Sequence, residues 1–261
     1  MEAQDELQFG MNAAMIGSLK SAQSKTWANI YGDSFKRSAS TTNLELDASN
    51  SGLTIGIPVL SNDAANLDLV LNASSADLDI GSAKEQSIKV QSYNIGVVLR
   101  DLIPSETWSA DAFGFVGSNS YEGKRKVINN KKATGSESVT ASYSGTEVLV
   151  GVNAQYSQAI FDTLNFTGGV NANLSNEKIG AYSESKYYSW DERTMTQASA
   201  GINLGLEYNK DALTTFANLG LKRSSLSKGE TTTYTNNATS VSFTDSSTGY
   251  TRRSVLVGFS Y

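Results

Sequence analysis

From Trp27 to Tyr261 the apolar residues of this chain recur at every second position over long stretches, so its strands must present their two faces to two different environments. Val148, Val150, Val152, Ala154 and Tyr156 share one face of a stretch whose other face carries Leu149, Gly151, Asn153 and Gln155. Leu164, Phe166, Gly168, Val170, Ala172 and Leu174 alternate in the same way with Asn165, Thr167, Gly169, Asn171, Asn173 and Ser175. Ala198, Ala200, Ile202, Leu204, Leu206 and Tyr208 alternate with Gln197, Ser199, Gly201, Asn203, Gly205 and Glu207. The final stretch sets Val255, Val257, Phe259 and Tyr261 against Ser254, Leu256, Gly258 and Ser260. Looser alternation at 26–37, 51–60, 65–79, 87–100, 107–122 and 213–227 brings the expected count to ten strands. Pro58 cannot donate to a ladder, so the second of these is expected to end early, to bulge, or to lie elsewhere.

Residues 4–25 follow another period. Leu7, Met11, Met15 and Leu19 recur every fourth position with small residues between, which predicts an amphipathic helix ahead of the strands. The connections then alternate in length: long at 38–50, 123–143, 181–194 and 228–249, moderate at 80–86, and short at 61–65, 101–106, 159–163 and 209–212. Tight turns on one rim and long polar loops on the other are the layout of an up-and-down barrel in an outer membrane, with both chain ends on the short-turn rim.

A soluble two-sheet sandwich alternates too, with its apolar face inward. Three features favour the bilayer. Strands of ten to fifteen residues exceed the roughly five or six of soluble domains. The polar faces carry Asn, Gln, Ser, Thr and Gly with little Lys or Glu, which suits a narrow wet lumen. The chain also ends within a strand, on an aromatic. Trp27, Trp108, Phe161, Tyr208 and Tyr261 are expected near the short-turn rim, and Tyr121, Tyr143, Tyr182, Tyr187, Tyr188, Trp190 and Tyr250 near the other, as two interfacial belts. Asp68, Arg100, Asn153, Asn171, Asn203, Glu207 and Lys222 are expected to line the lumen, with the charged members pairing across it or biasing ion passage.

Composition narrows the functions. The chain has no histidine and no cysteine, which excludes imidazole bases, Ser-His-Asp triads, thiolate nucleophiles and zinc sites built on either residue, so no enzyme, cofactor or metal is expected. A net charge of −5 argues against nucleic acid as a partner. Asp77-x-Asp79 and Asp191-Glu192-Arg193 are read as solvated charges. The acidic opening Met1-Glu2-Ala3-Gln4-Asp5-Glu6 is not a secretory signal, so a mature portion of a longer chain is expected.

A helical segment, then Trp27-Ala28-Asn29-Ile30-Tyr31-Gly32, then antiparallel strands ending on Val255, Val257, Phe259 and Tyr261 resemble the C-terminal translocator domain of bacterial autotransporters, the type V secretion proteins. The resemblance implies an outer-membrane β-barrel of a Gram-negative bacterium, anchoring and exporting through its lumen a passenger that would precede Met1. It implies that residues 1–25 form a linker helix inside the lumen, with Leu7, Met11, Ala14, Met15, Gly17 and Leu19 as its plug residues and Ala13, Ala14, Gly17 and Ser18 passing close to the wall. It implies that residues 26–261 form the barrel, with its terminal strand read by the barrel assembly machinery, and that the protein acts as a monomer. The family's barrel has twelve strands, and residues 229–245 could supply the extra hairpin. Two other functions stay open: a self-contained small outer-membrane pore, and a soluble β-rich adhesin fragment.

Overall fold

Each alternating stretch forms one strand of a continuous antiparallel sheet. The structure, a computed structural model, describes residues 2–19, 26–38, 44–62, 65–81, 86–103, 105–128, 133, 135–184, 188–210, 213–226, 231–236, 239–244 and 249–260. A helix, α1 (Glu2–Ser18), precedes strands β1 (Trp27–Arg37), β2 (Leu46–Asn62), β3 (Ala65–Ile80), β4 (Gln86–Arg100), β5 (Trp108–Ile128), β6 (Ser136–Phe161), β7 (Leu164–Ile179), β10 (Arg193–Lys210), β11 (Leu213–Leu226) and β14 (Gly249–Ser260). These ten pair in chain order as a 10-stranded sheet, each strand antiparallel to the next. The four short strands β8 (Tyr182–Glu184), β9 (Tyr188–Trp190), β12 (Thr231–Asn236) and β13 (Thr239–Thr244) form a separate 4-stranded sheet in the order β13-β12-β9-β8.

The 229–245 stretch therefore does not add barrel strands. Its hairpin leaves the wall and pairs with β9 through Tyr234 opposite Trp190. Its Thr-rich faces lack the apolar phase needed against lipid. The expected long loop at 123–143 is mostly strand, because β5 and β6 stay paired from Tyr121 opposite Tyr143 out to Ile128 opposite Ser136. Its outward positions on β5 are Glu122, Lys124 and Lys126, so the ribbon runs beyond the band of outward hydrophobic residues, while Val139 and Ala141 turn inward. At Pro58 the ladder bulges and then resumes: the register shifts between Pro58 and Leu60, and β2 continues to Asn62. The described helix ends at Ser18, shorter than 4–25, and residues 20–25 lie outside the described residues.

The sheet curls into a barrel with the apolar phase outward. Ile30 is 88% exposed, and Leu53, Ile57, Leu71, Ile95, Val97, Val148, Val150, Val152, Val170, Ile202, Leu204, Leu206, Leu219 and Leu221 are exposed with it. So broad an apolar exterior is unfavourable in water and favourable in hydrocarbon. Trp108, Phe161 and Tyr208 lie on this outer face near the short turns, as the belt requires. Trp27 does not: it is buried, and its indole Nε1 donates to Asp68 Oδ2 at 3.0 Å. Tyr121 and Tyr143 likewise turn inward, stacked with ring centroids 4.9 Å apart. Inside the barrel these rings cover glycines that face them in register: Trp27 over Gly56, Tyr31 over Gly52, Phe115 over Gly96 and Phe113 over Gly151. An aromatic ring takes the volume that a glycine's missing side chain leaves on the neighbouring strand.

At Gly96 the space is closed by backbone as well, since an added Cβ would lie 2.2 Å from the carbonyl oxygen of Gly114. The Gly96→Ala variant is expected to lose about 1–3 kcal/mol of barrel stability. Gly114→Ala, whose Cβ would meet only Val150 Cγ1 at 3.9 Å, serves as the control. Heat-dependent electrophoretic mobility in SDS checks it, with Gly96→Ala converting at a lower temperature than both the parent chain and Gly114→Ala.

Candidate functional site

The site is the contact between α1 and the barrel wall. Spanning about 26 Å at 1.5 Å per residue, the helix runs with its Gln4 end near Tyr143 and Arg193, toward the long-loop rim, and its Leu19 end near Thr54 and Arg100, toward the short-turn rim. Side chains from β1, β2, β4, β5, β6, β10 and β11 reach it, so the sheet curls around it.

Two apolar clusters seat the helix. Leu7 and Met11 pack with Leu46, Ala48, Leu78, Val90 and Tyr121 toward the long-loop rim. Met15, Ile16 and Leu19 pack with Trp27, Val70, Val98, Phe113, Phe115 and Leu149 toward the short-turn rim. The inward face of this part of the wall is therefore apolar where it meets the helix, in contrast to the uniformly wet lumen expected from the polar phase of later strands. Burying each of these large side chains contributes roughly 1.5–3 kcal/mol of gross hydrophobic stabilisation.

Polar contacts fix the helix in rotation and depth. Glu147, 3% exposed, accepts from Gln8 Nε2 at 2.7 Å and Asn12 Nδ2 at 2.6 Å, two amides four residues apart on one helix face. Its register partner Glu177 accepts from Asn119 Nδ2 at 2.7 Å and from the Tyr121 hydroxyl. Four donors thus face two buried carboxyl groups, as the burial of polar groups requires. At the outer end Arg193 Nη2 and the Tyr143 hydroxyl both donate to Gln4 Oε1, and Arg37 Nη1 meets Glu6 Oε2 at 2.6 Å. At the inner end Arg100 Nη1 donates to the Leu19 carbonyl at 3.1 Å while its Nε pairs with Asp68 at 2.9 Å. A cation there also complements the negative end of the helix dipole.

The residues expected along the lumen separate into two groups. Asp68 and Arg100 form an ion pair on neighbouring strands, rather than across the lumen, under the helix C-terminus. Asn153, Asn171 and Lys222 fall on one row of the wall, Asn153 opposite Asn171, and Asn171 and Lys222 both opposite Gly201. Asn203 and Glu207 are half-buried on β10, with Glu207 accepting from Asn209 at 3.0 Å. Lys222 Nζ lies 5.3 Å from the Phe9 ring centroid rather than against Glu207. On the helix, Leu7, Met11, Met15 and Leu19 are buried, whereas Ala14 and Gly17 are half-buried. A Cβ on Gly17 would meet nothing within 4 Å, so the small residues there are not pressed against the wall as expected, although Ser18 is, at 2.8 Å from Thr54. Val255 and Val257 sit opposite Leu219 and Ala217, Phe259 opposite Thr215, and Tyr261 lies outside the described residues.

Gln4, Gln8, Asn12 and Glu147 are not singled out by the sequence, and Arg193, read there as part of a solvated cluster, is instead buried against Gln4. The available signal was the amide run Gln4, Gln8, Asn12 at four-residue spacing beside the apolar stripe, together with the carboxylates on the inward phase of two adjacent strands. Above the mouth, Tyr143 stacks on Tyr182 at 4.1 Å, and Arg125 holds Glu184 through Nε at 3.0 Å with Tyr188 beneath its guanidinium. These contacts fasten the outer sheet to the wall. Among the described residues no cluster of acidic side chains is built to hold a metal ion.

The family model for the autotransporter beta-domain matches residues 26–261. No curated protein matches the chain. Among solved structures, the translocator domain of the autotransporter NalP from Neisseria meningitidis is similar at a TM-score of 0.65 and 16% identity, over 99% of this chain and 95% of that one. The beta domain of the Bordetella autotransporter BrkA is similar at a TM-score of 0.51 and 14% identity, over 90% of this chain and 97% of that one.

Removing the Glu147 carboxylate leaves two buried amides without an acceptor, at about 1–3 kcal/mol each. Glu147→Ala is expected to speed hydrogen exchange of the α1 backbone amides by at least tenfold while the wall strands keep their protection. Burial pushes the Tyr182 hydroxyl up to about 12, against the pull of Arg193 and with Glu184 adding to the rise. An unfolded tyrosine ionises near pH 10, so the stability contributed by the neutral ring is present below pH 10 and lost as pH rises toward 12. Tyrosinate absorbance should therefore show one group titrating near pH 12 that disappears in Tyr182→Phe.

Proposed function

The chain belongs to the autotransporter beta-domain family, and on that premise we propose that residues 1–25 are the plug and tether of an export channel whose wall is residues 26–261. The protein is an outer-membrane β-barrel translocator of a Gram-negative bacterium, embedded in the bilayer and linked to a passenger. Its work is physical. Hydrocarbon supplies no partner for a backbone N–H or C=O, so only a closed sheet or a helix can span it, and the barrel holds a polar path inside that wall.

The observation that carries the plug assignment is the grip of Glu147 on Gln8 and Asn12, with Arg100 on the Leu19 carbonyl below. Leu7, Met11, Met15 and Leu19 supply the apolar contact, and Ala14 and Gly17 face the looser side of the lumen. Polypeptide linked ahead of α1 leaves through the long-loop rim, because the Gln4 end of the helix lies there. Asn153, Asn171, Asn203, Glu207 and Lys222 offer a half-buried polar surface to a segment in transit. Val255, Val257, Phe259 and Tyr261 present the alternation that the barrel assembly machinery reads, and the barrel functions as a monomer. No residue is assigned a catalytic step.

Deleting residues 1–25 should raise single-channel conductance in a planar bilayer severalfold. Glu147→Ala should give brief openings toward that same level. Unchanged conductance in the deletion would overturn the plug.

A further inference from the structure

The outer face carries several exposed cations, and three of them stand beside a carboxylate. Lys36 pairs with Asp47 at 2.9 Å, Lys178 with Glu192 at 2.9 Å, and Lys89 with Asp77 at 3.7 Å. Arg223 and Arg253 differ in standing diagonally beside each other. Both are exposed, on the adjacent strands β11 and β14. Arg253 is the register partner of Leu221, the last exposed apolar residue among the described side chains of β11, and Arg223 lies one outward step further on. Among the described residues of β10, β11 and β14, the outward positions around them are Ala198, Ala200, Ile202, Leu219, Leu221 and Thr251, and none of these is charged.

We propose that Arg223 and Arg253 form a clamp for a phosphate on the headgroup of an outer-leaflet glycolipid. The proposal rests on the outer-membrane placement of the barrel and not on the plug. Residues in this diagonal relation lie about 7–8 Å apart, close enough for two long side chains to meet on one phosphate. Each guanidinium presents a planar fork that binds phosphate oxygens in pairs, and its stem lies along apolar surface while its head stays wet. The pair sits where the hydrocarbon band gives way to headgroups, which is the level of a lipid phosphate and adds charge complementarity to a surface already continuous with the lipid-facing wall. Lys36, Lys89 and Lys178, matched by carboxylates, offer no such excess charge.

The test is native mass spectrometry of the full chain refolded in detergent micelles, with diphosphoryl lipid A, chemically dephosphorylated lipid A, or phosphatidylglycerol added. The parent chain should retain diphosphoryl lipid A, and the double variant Arg223→Gln, Arg253→Gln should retain it about tenfold less or lower still. Lys178→Gln should bind like the parent. Dephosphorylated lipid A and phosphatidylglycerol should be held only at the level of the double variant. Parental retention by the double variant, equal retention of the dephosphorylated lipid, or equal retention of phosphatidylglycerol would each overturn the proposal. Folding of every variant is read from the heat-dependent shift in SDS. If the double variant does not fold, the single variants Arg223→Gln and Arg253→Gln carry the same comparison.

Discussion

Hydrocarbon cannot hydrogen-bond a peptide group, and the architecture of this protein is a response to that constraint. A strand crossing the bilayer must find its partners on its neighbours, which requires long, continuously paired strands in simple antiparallel order. Ten strands pair in chain order from β1 to β14. The same constraint explains why the 4-stranded sheet carrying the second half of the long connections stands apart: its strands are three and six residues long, too short to cross, and they pair with one another above the wall.

Curling the sheet creates an interior that must be filled or wetted. Here the filling is uneven. Toward β2–β5 the inward phase carries Val70, Val98, Phe113 and Phe115, and Met15, Ile16 and Leu19 cover it. Toward β7–β11 it carries Asn153 on the neighbouring β6 with Asn171, Asn203 and Lys222, and stays half-buried. A helix held by apolar surface on one side and by amide-to-carboxylate bonds to Glu147 is fixed in position by contacts that can be broken one at a time, as export followed by plugging requires.

The wall was legible because lipid imposes a two-residue period that few other environments sustain. The runs at Val148–Tyr156 and Ala198–Tyr208 needed only their spacing. The ribbon beyond Tyr121 was not legible, because Glu122, Lys124 and Lys126 face water and water imposes no period. Trp27 and Tyr121 read from sequence as belt residues because an aromatic near a rim has two homes, and only the glycine or carboxylate facing it decides between them. Glu147 was invisible for a related reason: a carboxylate on the polar phase reads as solvated until a helix is known to lie against it. The helix itself announced its apolar stripe, while its amide face looked like ordinary surface.

The central claim is that the alternating faces of the wall strands meet lipid on one side and the lumen on the other. The absence of cysteine permits nitroxide labels at single introduced cysteines with no background site. The measurement is collision accessibility at residues 148, 149, 150, 152 and 153 of β6 in lipid vesicles, using oxygen as the lipid-soluble probe and a nickel chelate as the aqueous one. Labels at 148, 150 and 152 are predicted to be open to oxygen and closed to nickel, with 149 and 153 shielded from oxygen. Uniform access to nickel, or the opposite phase, would contradict the account.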